Sequence, residues 1–296
     1  MLGTECEVLG TGATGVVLSG IYHGVEVAIK CVDLPHFSHC FESEIKCAAV
    51  SHENIIEVFE IKKTKKTGYI IMERMRHDLM TLIEEKALTE KKSQQFFQQI
   101  CKGIKHFHES GFAHLDIKPE NILISNDGKA KVADFSSSLP IVKNQKLKPV
   151  GVGSFFYSAP EILQDRPFDG EKADIWSLGV LLHVMLTGSW PYFGTTTEEA
   201  RVSAMKCDIQ FNYQIIPRSV LVLLDRMLEI DPAFRPSMDS ILSHPWVSGK
   251  TIDPIFENSG EKRLHFFESQ REKVSRTYEP FSLSVLKHKV VHFFSN

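Results

Sequence analysis

The sequence predicts an α+β chain in two parts: a small antiparallel-sheet unit with one key helix, then a larger and mainly helical unit. Three observations predict it. Residues 1–75 carry short alternating and β-branched runs, Val16-Val17-Leu18, Val25-Glu26-Val27-Ala28-Ile29 and Tyr69-Ile70-Ile71-Met72, the pattern of half-buried strands. Beyond residue 76 the apolar period lengthens to that of helices. Between the apolar runs that flank it, Asn126-Asp127-Gly128 is a hairpin turn, since these residues tolerate the positive φ of a tight loop.

Taken in order, the strands of residues 1–75 are interrupted by one helix near Phe41 to Val50, where Glu42, Glu44 and Lys46 alternate with Phe41, Ile45 and Ala48 until Ser51-His52-Glu53-Asn54 ends the pattern. Residues 76–250 follow as the helical part. Leu79, Leu82 and Ile83, then Phe96, Phe97, Ile100, Ile104 and Phe107, recur at helical spacing. The apolar stretch Ile175 to Leu186 predicts a buried helix, too short to span a bilayer. Residues 251–296 mix charge with Phe266-Phe267 and end in a basic, apolar run; they fit no element and stand as a separate tail.

A chain of 296 residues with 43% hydrophobic content can bury a sizeable core. A net charge of −3, with both signs interspersed, points away from nucleic acid or a membrane surface as a main partner. The six cysteines show no paired CxxC spacing, and Met1 to Cys6 lack a basic-then-apolar leader, so a cytoplasmic or nuclear setting is expected. His36, His39, Cys40 and Cys47 cluster in sequence, but at a spacing that matches no common structural zinc site.

The chemistry concentrates in His114-Leu115-Asp116-Ile117-Lys118-Pro119-Glu120-Asn121, followed by Asp134-Phe135-Ser136. Asp116, Lys118, Asn121 and Asp134 supply a carboxylate, an ammonium, an amide and a second carboxylate. That set suits phosphoryl transfer, where a protein positions a hydroxyl and a nucleotide and neutralises spreading negative charge, usually with magnesium. Gly10, Gly12 and Gly15 form G-x-G-x-x-G-x-V inside a predicted hairpin rather than at a strand-to-helix junction, which disfavours a dinucleotide site. Positions without side chains let the backbone close over phosphates. Val27-Ala28-Ile29-Lys30 then ends a strand in a lysine, whose point charge suits a phosphate oxygen. A lysine among apolar neighbours needs a carboxylate partner, and the predicted helix offers Glu44, favoured, or Glu42.

This combination resembles the eukaryotic protein kinase family over residues 5–247. Further landmarks are Gly153-Ser154-Phe155-Phe156-Tyr157-Ser158-Ala159-Pro160-Glu161, Asp174-Ile175-Trp176-Ser177-Leu178-Gly179, and Arg235-Pro236-Ser237 before His244-Pro245-Trp246. The resemblance implies a bilobal fold, with nucleotide bound between a small lobe of residues 1–75 and a helical lobe of residues 76–250. It implies ATP and Mg2+ as cofactors and protein Ser/Thr hydroxyls as substrate. It also implies that Asp116 orients the acceptor hydroxyl and takes its proton, that Lys118 stabilises the transferred group, that Asn121 and Asp134 hold magnesium, and that Lys30 contacts the α and β phosphates. By the same resemblance Val17, Ala28 and Leu123 sandwich adenine. Met72 to Met75, with Glu73 between them, form the hinge whose backbone reads its edge. Asp78 either bonds the ribose or caps the helix that begins at Leu79. Lys118 and Ser154 resemble serine/threonine rather than tyrosine kinases, and Ser51 to Asn54, His114 to Asn121 and Gly188-Ser189-Trp190-Pro191-Tyr192 look most like the calmodulin-dependent, checkpoint and testis-specific branch. Glu161 and Arg235 are expected as a buried structural ion pair.

Two family positions are altered. Leu115 stands where arginine usually precedes the catalytic aspartate, and Ser136 replaces the glycine after Asp134-Phe135. The missing arginine normally pairs with a phosphorylated activation loop. Residues 139–153 contain no Ser, Thr or Tyr, so receptor and acceptor are absent together, and activity without loop phosphorylation is expected. Ser136 is expected to meet a positive φ at a cost of roughly 1 kcal/mol. The alternative function is a catalytically silent scaffold that keeps the fold to bind partners. The basic, aromatic run from Leu286 to Phe294 either docks on a partner or on the chain itself, or is a solvated terminus.

Overall fold

The computed structural model describes residues 7–143, 145–148, 153–250 and 280–282. Five antiparallel strands open the fold: β1 (Val8–Gly12), β2 (Gly15–Tyr22), β3 (Val25–Asp33), β4 (Val58–Lys63) and β5 (Thr67–Glu73), in the order β1-β2-β3-β5-β4. The turn between β2 and β3 has only two residues, His23 (φ 49°) and Gly24 (φ 82°), and both take the left-handed conformation that matches the twist of the flanking strands.

α1 (Leu34–Cys47) sits between β3 and β4, starting earlier and ending sooner than the predicted Phe41–Val50. Pro35 starts it and non-helical Phe37 (φ −126°) kinks it, which hid the first turn from any apolar periodicity. Phe41, wholly buried, packs with Val32, Leu34 and Ile70 under the sheet.

The second part runs through β6 (His77–Asp78), α2 (Leu79–Glu84), α3 (Glu90–Glu109), β7 (Phe112–Ala113), β8 (Ile122–Ile124), β9 (Ala130–Val132), β10 (Leu139–Pro140), α4 (Pro160–Leu163) and α5 (Gly170–Thr187). It continues with β11 (Ser189–Phe193), α6 (Thr197–Lys206), α7 (Arg218–Met227), α8 (Met238–Ser243) and α9 (Pro245–Ser248). α3 presents one apolar stripe, Phe97, Ile100, Ile104 and Phe107, to the main core. α5 is buried on every face from Ala173 to Met185, so its apolar run is continuous rather than periodic. It stops at Gly188, whose φ of 69° forms a left-handed cap. Among the described residues no helix is long and apolar enough to cross a membrane.

The predicted ion pair is present. Arg235 grips Glu161 with two hydrogen bonds of 2.7 and 2.8 Å, donates to the Glu229 and Lys172 carbonyls, and stacks on Trp176. Such a pair is stable when buried because the remaining donors are also satisfied. The His36, His39, Cys40 and Cys47 cluster lies on α1. The tail requires a correction: Pro280–Ser282 forms β12, antiparallel to β11, although the sequence assigned no element beyond residue 250. Leu286 to Phe294 lie outside the described residues.

Candidate active site

Strand register sets the ceiling of the cleft. Residues directly opposite in an antiparallel pair share a face, and β3 aligns Lys30 with Val17 on β2, and Ala28 with Met72 on β5. Lys30 and Ala28, two apart on β3, lie on that same face. Lys30 is 8% exposed. Its Nζ donates to Glu44 Oε1 at 2.6 Å and to Asp134 Oδ1 at 2.8 Å. Glu44 is thus the partner, and Glu42 is exposed on the outer side of α1. Burial alone would discharge the lysine, but the two carboxylates outweigh it and push its pKa up.

The glycine loop closes the same end. A Cβ on Gly15 would stand 1.8 Å from the Cys31 carbonyl oxygen, so that glycine is demanded by the fold. Gly10 is different: a Cβ there would meet nothing within 4 Å, and at Gly12 only the Gly15 carbonyl at 4.0 Å. The protein itself leaves those two positions open.

The floor is a loop held from below by Asp174 of α5. This carboxylate is wholly buried and accepts the backbone N–H groups of His114 and Leu115, each at 2.8 Å, and lies 2.8 Å from His108 Nε2. Leu115 is 4% exposed and takes φ 65°, a left-handed backbone that an ordinary residue holds at roughly 1–3 kcal/mol of strain. Sequence reasoning assigned Asp174 no role. The available signal was a carboxylate inside an apolar helical run, which needs buried donors.

On this loop Asp116 Oδ2 accepts from Lys118 Nζ at 2.8 Å and from Asn121 Nδ2 at 3.0 Å, and Asn121 Nδ2 also reaches the Asp116 carbonyl at 2.8 Å. Asp116 Oδ1 is buried and has no hydrogen-bond partner among the described residues. Lys118 Nζ donates in addition to Ser154 Oγ at 2.8 Å, tying the next loop to the same cluster. Leu123 lies on β8 opposite Asp78 of β6.

Asp134 carries the strain that sequence reasoning placed at Ser136. Its φ is 63°, whereas Ser136 is outside the left-handed region, so no glycine is required there. The Ser136 N–H instead donates to Asp134 Oδ1 at 3.2 Å. Burial would raise the Asp134 carboxyl, but the Lys30 ammonium and then the Ser136 hydrogen bonds hold it well below the usual carboxylate range. Phe135 is buried beneath, stacked on Phe107 at 4.9 Å, and its N–H reaches Glu44 Oε2.

At the rim, Asp78 Oδ1 accepts from Thr81 N–H at 2.7 Å and Thr81 Oγ1 at 2.8 Å, so that oxygen is the helix cap. Of the hinge, the Glu73 N–H donates to the Glu57 carbonyl and the Glu73 carboxylate holds Lys131 at 2.5 Å; Met72 and Met75 are half-buried beside them.

The donor set fits a hard divalent cation. The Asn121 nitrogen is committed to Asp116, which leaves its amide oxygen, and Asp134 offers an ionised carboxylate; such oxygens suit Mg2+. Bound there, the ion would neutralise phosphoryl oxygens.

A sheet unit carrying a Lys–Glu pair, set over a loop that pairs a poised aspartate with lysine and asparagine, defines the protein-kinase class of site. The family described as protein kinase domain matches residues 4–247. The chain is 31% identical over 264 residues to sperm motility kinase 3A of Mus musculus, covering 86% of this chain and 52% of that protein. It is 34% identical over 263 residues to the SNF-related serine/threonine-protein kinase of Rattus norvegicus, covering 84% and 34%. A probable serine/threonine-protein kinase of Dictyostelium discoideum is 33% identical over 251 residues, covering 81% and 30%. The chain therefore belongs to the protein kinase domain family, and it spans about half the length, or less, of these curated relatives.

Proposed function

We propose that the chain is an active ATP-dependent kinase that transfers the γ-phosphate to Ser/Thr hydroxyls of protein substrates, with Mg2+ as cofactor. The observation that carries this reading is Asp116: one oxygen is fixed by Lys118 and Asn121, and the other is buried without a hydrogen-bond partner among the described residues, an unmet acceptor that the proton of a substrate hydroxyl would satisfy. Asp116 would orient that hydroxyl and take its proton, and Lys118 would steady the charge on the transferred group. Lys30, charged and aimed by Glu44, would grip the α and β phosphates. Asn121 and Asp134 would hold the metal. The open positions at Gly10 and Gly12 support phosphates passing close under the β1–β2 hairpin. Val17, Ala28 and Leu123 would enclose adenine, the Met72–Met75 hinge would read its edge, and Asp78 would reach the ribose with its second oxygen. The resemblance of its motifs supports the calmodulin-dependent, checkpoint and testis-specific branch, and the free cysteines among the described residues accord with a cytoplasmic or nuclear home.

Activity would not await loop phosphorylation. Leu115 is anchored in the core instead of offering a guanidinium, and the end of the loop rests on it: a Cβ on Gly153 would lie 2.5 Å from the Leu115 carbonyl oxygen. Phosphatase-treated protein should keep full activity, and activity lost on that treatment and tied to phosphate on Ser136, Ser137, Ser138, Ser154, Tyr157 or Ser158 would refute the point.

The scaffold reading draws on Leu115 and Ser136, yet neither removes a group that handles phosphate or metal. Labelled ATP, magnesium and a generic protein substrate decide between the two. The wild type should incorporate label and Asp116→Asn should lose about 100-fold or more; equal signal from both would favour the scaffold.

A further inference from the structure

β11 is buried at four of its five residues, and its backbone is met from two directions. On one, Tyr192 bridges Ile209 and the Gln210 N–H donates to the Pro191 carbonyl at 2.8 Å. On the other, β12 pairs antiparallel, Ser282 opposite Ser189 and Pro280 opposite Phe193. Backbone groups of a buried strand must find partners, and a short extended segment added to a strand supplies them by main-chain hydrogen bonds. At Ser189 and Phe193 the N–H groups are already held by Thr187 Oγ1 and Ser203 Oγ, and the extended segment that pairs beside them is Pro280–Ser282 of the same chain.

β11 also supports the loop that faces Asp116. Trp190 packs on Phe156 at 5.0 Å and on Tyr157 at 6.2 Å, and Tyr192 packs on Phe156 at 6.2 Å. Phe155 is further covered by the Arg201 guanidinium at 4.6 Å. Just before these rings, Ser154 accepts from Lys118, which in turn holds Asp116. A line of direct contacts thus runs from β12 through β11 and Phe156 to the loop that holds Lys118.

We infer that Pro280–Ser282 is a clasp in cis, a tail strand that braces β11 and through it the segment from Ser154 to Tyr157. The sequence of residues 139–153 offers no hydroxyl for phosphate and Leu115 no receptor for it, so the order that loop phosphorylation would bring must come from packing. The tail strand adds backbone pairing beneath that packing. It meets β11 on the large lobe and braces the loop from behind, so it acts as a support and not as a plug of the cleft. The effect on substrate rests on the kinase reading above; the pairing itself does not.

The test uses the full chain. The double variant Phe281→Pro with Ser282→Pro removes the two main-chain N–H groups the strand has, whichever of them faces β11, and Phe281→Ala with Ser282→Ala keeps them. By amide hydrogen exchange, residues 189–193 should exchange about 10-fold faster in the proline variant and near the wild-type rate in the alanine variant. The KM for a protein substrate should rise severalfold in the proline variant while the KM for ATP stays put. Unchanged exchange in the proline variant, or equal acceleration in both, overturns the pairing. Faster exchange with an unchanged protein KM overturns the bracing. If wild type and Asp116→Asn prove equally inert, exchange still decides the pairing, so the two readings fail separately.

Discussion

Lys30 and Asp134, 104 residues apart in the chain, are joined by an ion pair of 2.8 Å that ties the sheet to the loop after β9. Glu44 completes a three-membered cluster around one ammonium. The lysine therefore has two tasks, supplying positive charge toward phosphates and cancelling two carboxylates that burial would otherwise penalise.

Lys30→Met should accordingly fail in both tasks. Loss of a preorganised charge near the transferred group lowers kcat by about 100-fold or more. Stability should also fall, by about 3 kcal/mol, because the buried Glu44 carboxylate is left uncompensated. Lys30→Arg keeps the charge and should recover most of the stability but little of the activity. Urea denaturation read beside kcat separates the two losses; a fully stable Lys30→Met protein would show that the pair does not hold the lobes.

The parts of this site that were legible in the sequence are those whose chemistry is local. The residues from His114 to Asn121, the strand that ends in Lys30 and the turn at Asn126-Asp127-Gly128 each declare themselves by residue type and spacing. Glu44 could be preferred over Glu42 but not fixed, because one register step of α1 decides it and the kink at Phe37 hides the start of the helix. Asp174 carried no signal of its own beyond a carboxylate in an apolar run; its donors lie about 60 residues away. The strain lies two residues before the expected Ser136, at Asp134, because φ at these positions follows from how the loop closes on Lys30 and Phe107 rather than from the identity of the residue. β12 was illegible because a three-residue strand paired across 90 or so positions has no period to read.

With Ser136 outside the left-handed region, its hydroxyl and N–H act on Asp134 rather than straining the backbone. Ser136→Ala removes the hydroxyl alone, and Ser136→Gly removes it and adds backbone freedom. Both should raise the magnesium concentration at half-maximal activity by a similar, severalfold amount. A shift in the glycine variant only would assign the effect to backbone freedom, and no shift in either would end the case for Ser136.

Leu115 replaces a charged anchor by an apolar one. Its side chain is 4% exposed within the main core, so Leu115→Ala should cost about 3 kcal/mol of stability by lost burial and cavity formation. The same change should lower kcat, because losing the side-chain anchor loosens the backbone whose N–H Asp174 holds and whose carbonyl lies against Gly153. Denaturation midpoints and kcat should fall together; a stable variant of reduced activity would mean that Leu115 acts on the loop without anchoring it.

His183 gives the fold an acid limit. It lies wholly buried on α5, where Nδ1 donates to the Ser189 carbonyl at 2.9 Å and Thr187 Oγ1 stands 3.2 Å away, while Nε2 is buried without a partner among the described residues. Burial pushes its pKa down to about 4, against an ordinary value near 6.5. The unfolded chain therefore binds a proton between these values that the folded chain does not, so stability rises with pH through this window and is lost as pH falls from about 6.5 toward 4. Between pH 7 and pH 4.5 the loss from this one residue comes to about 2.5 kcal/mol. His183→Gln keeps a donor for Ser189 and cannot titrate, so its stability should fall less over that range by this amount, while His52 and His244, also lowered by burial, contribute equally to both proteins. Urea titrations at the two pH values measure the difference, and coincident slopes for variant and wild type would remove His183 from the acid response.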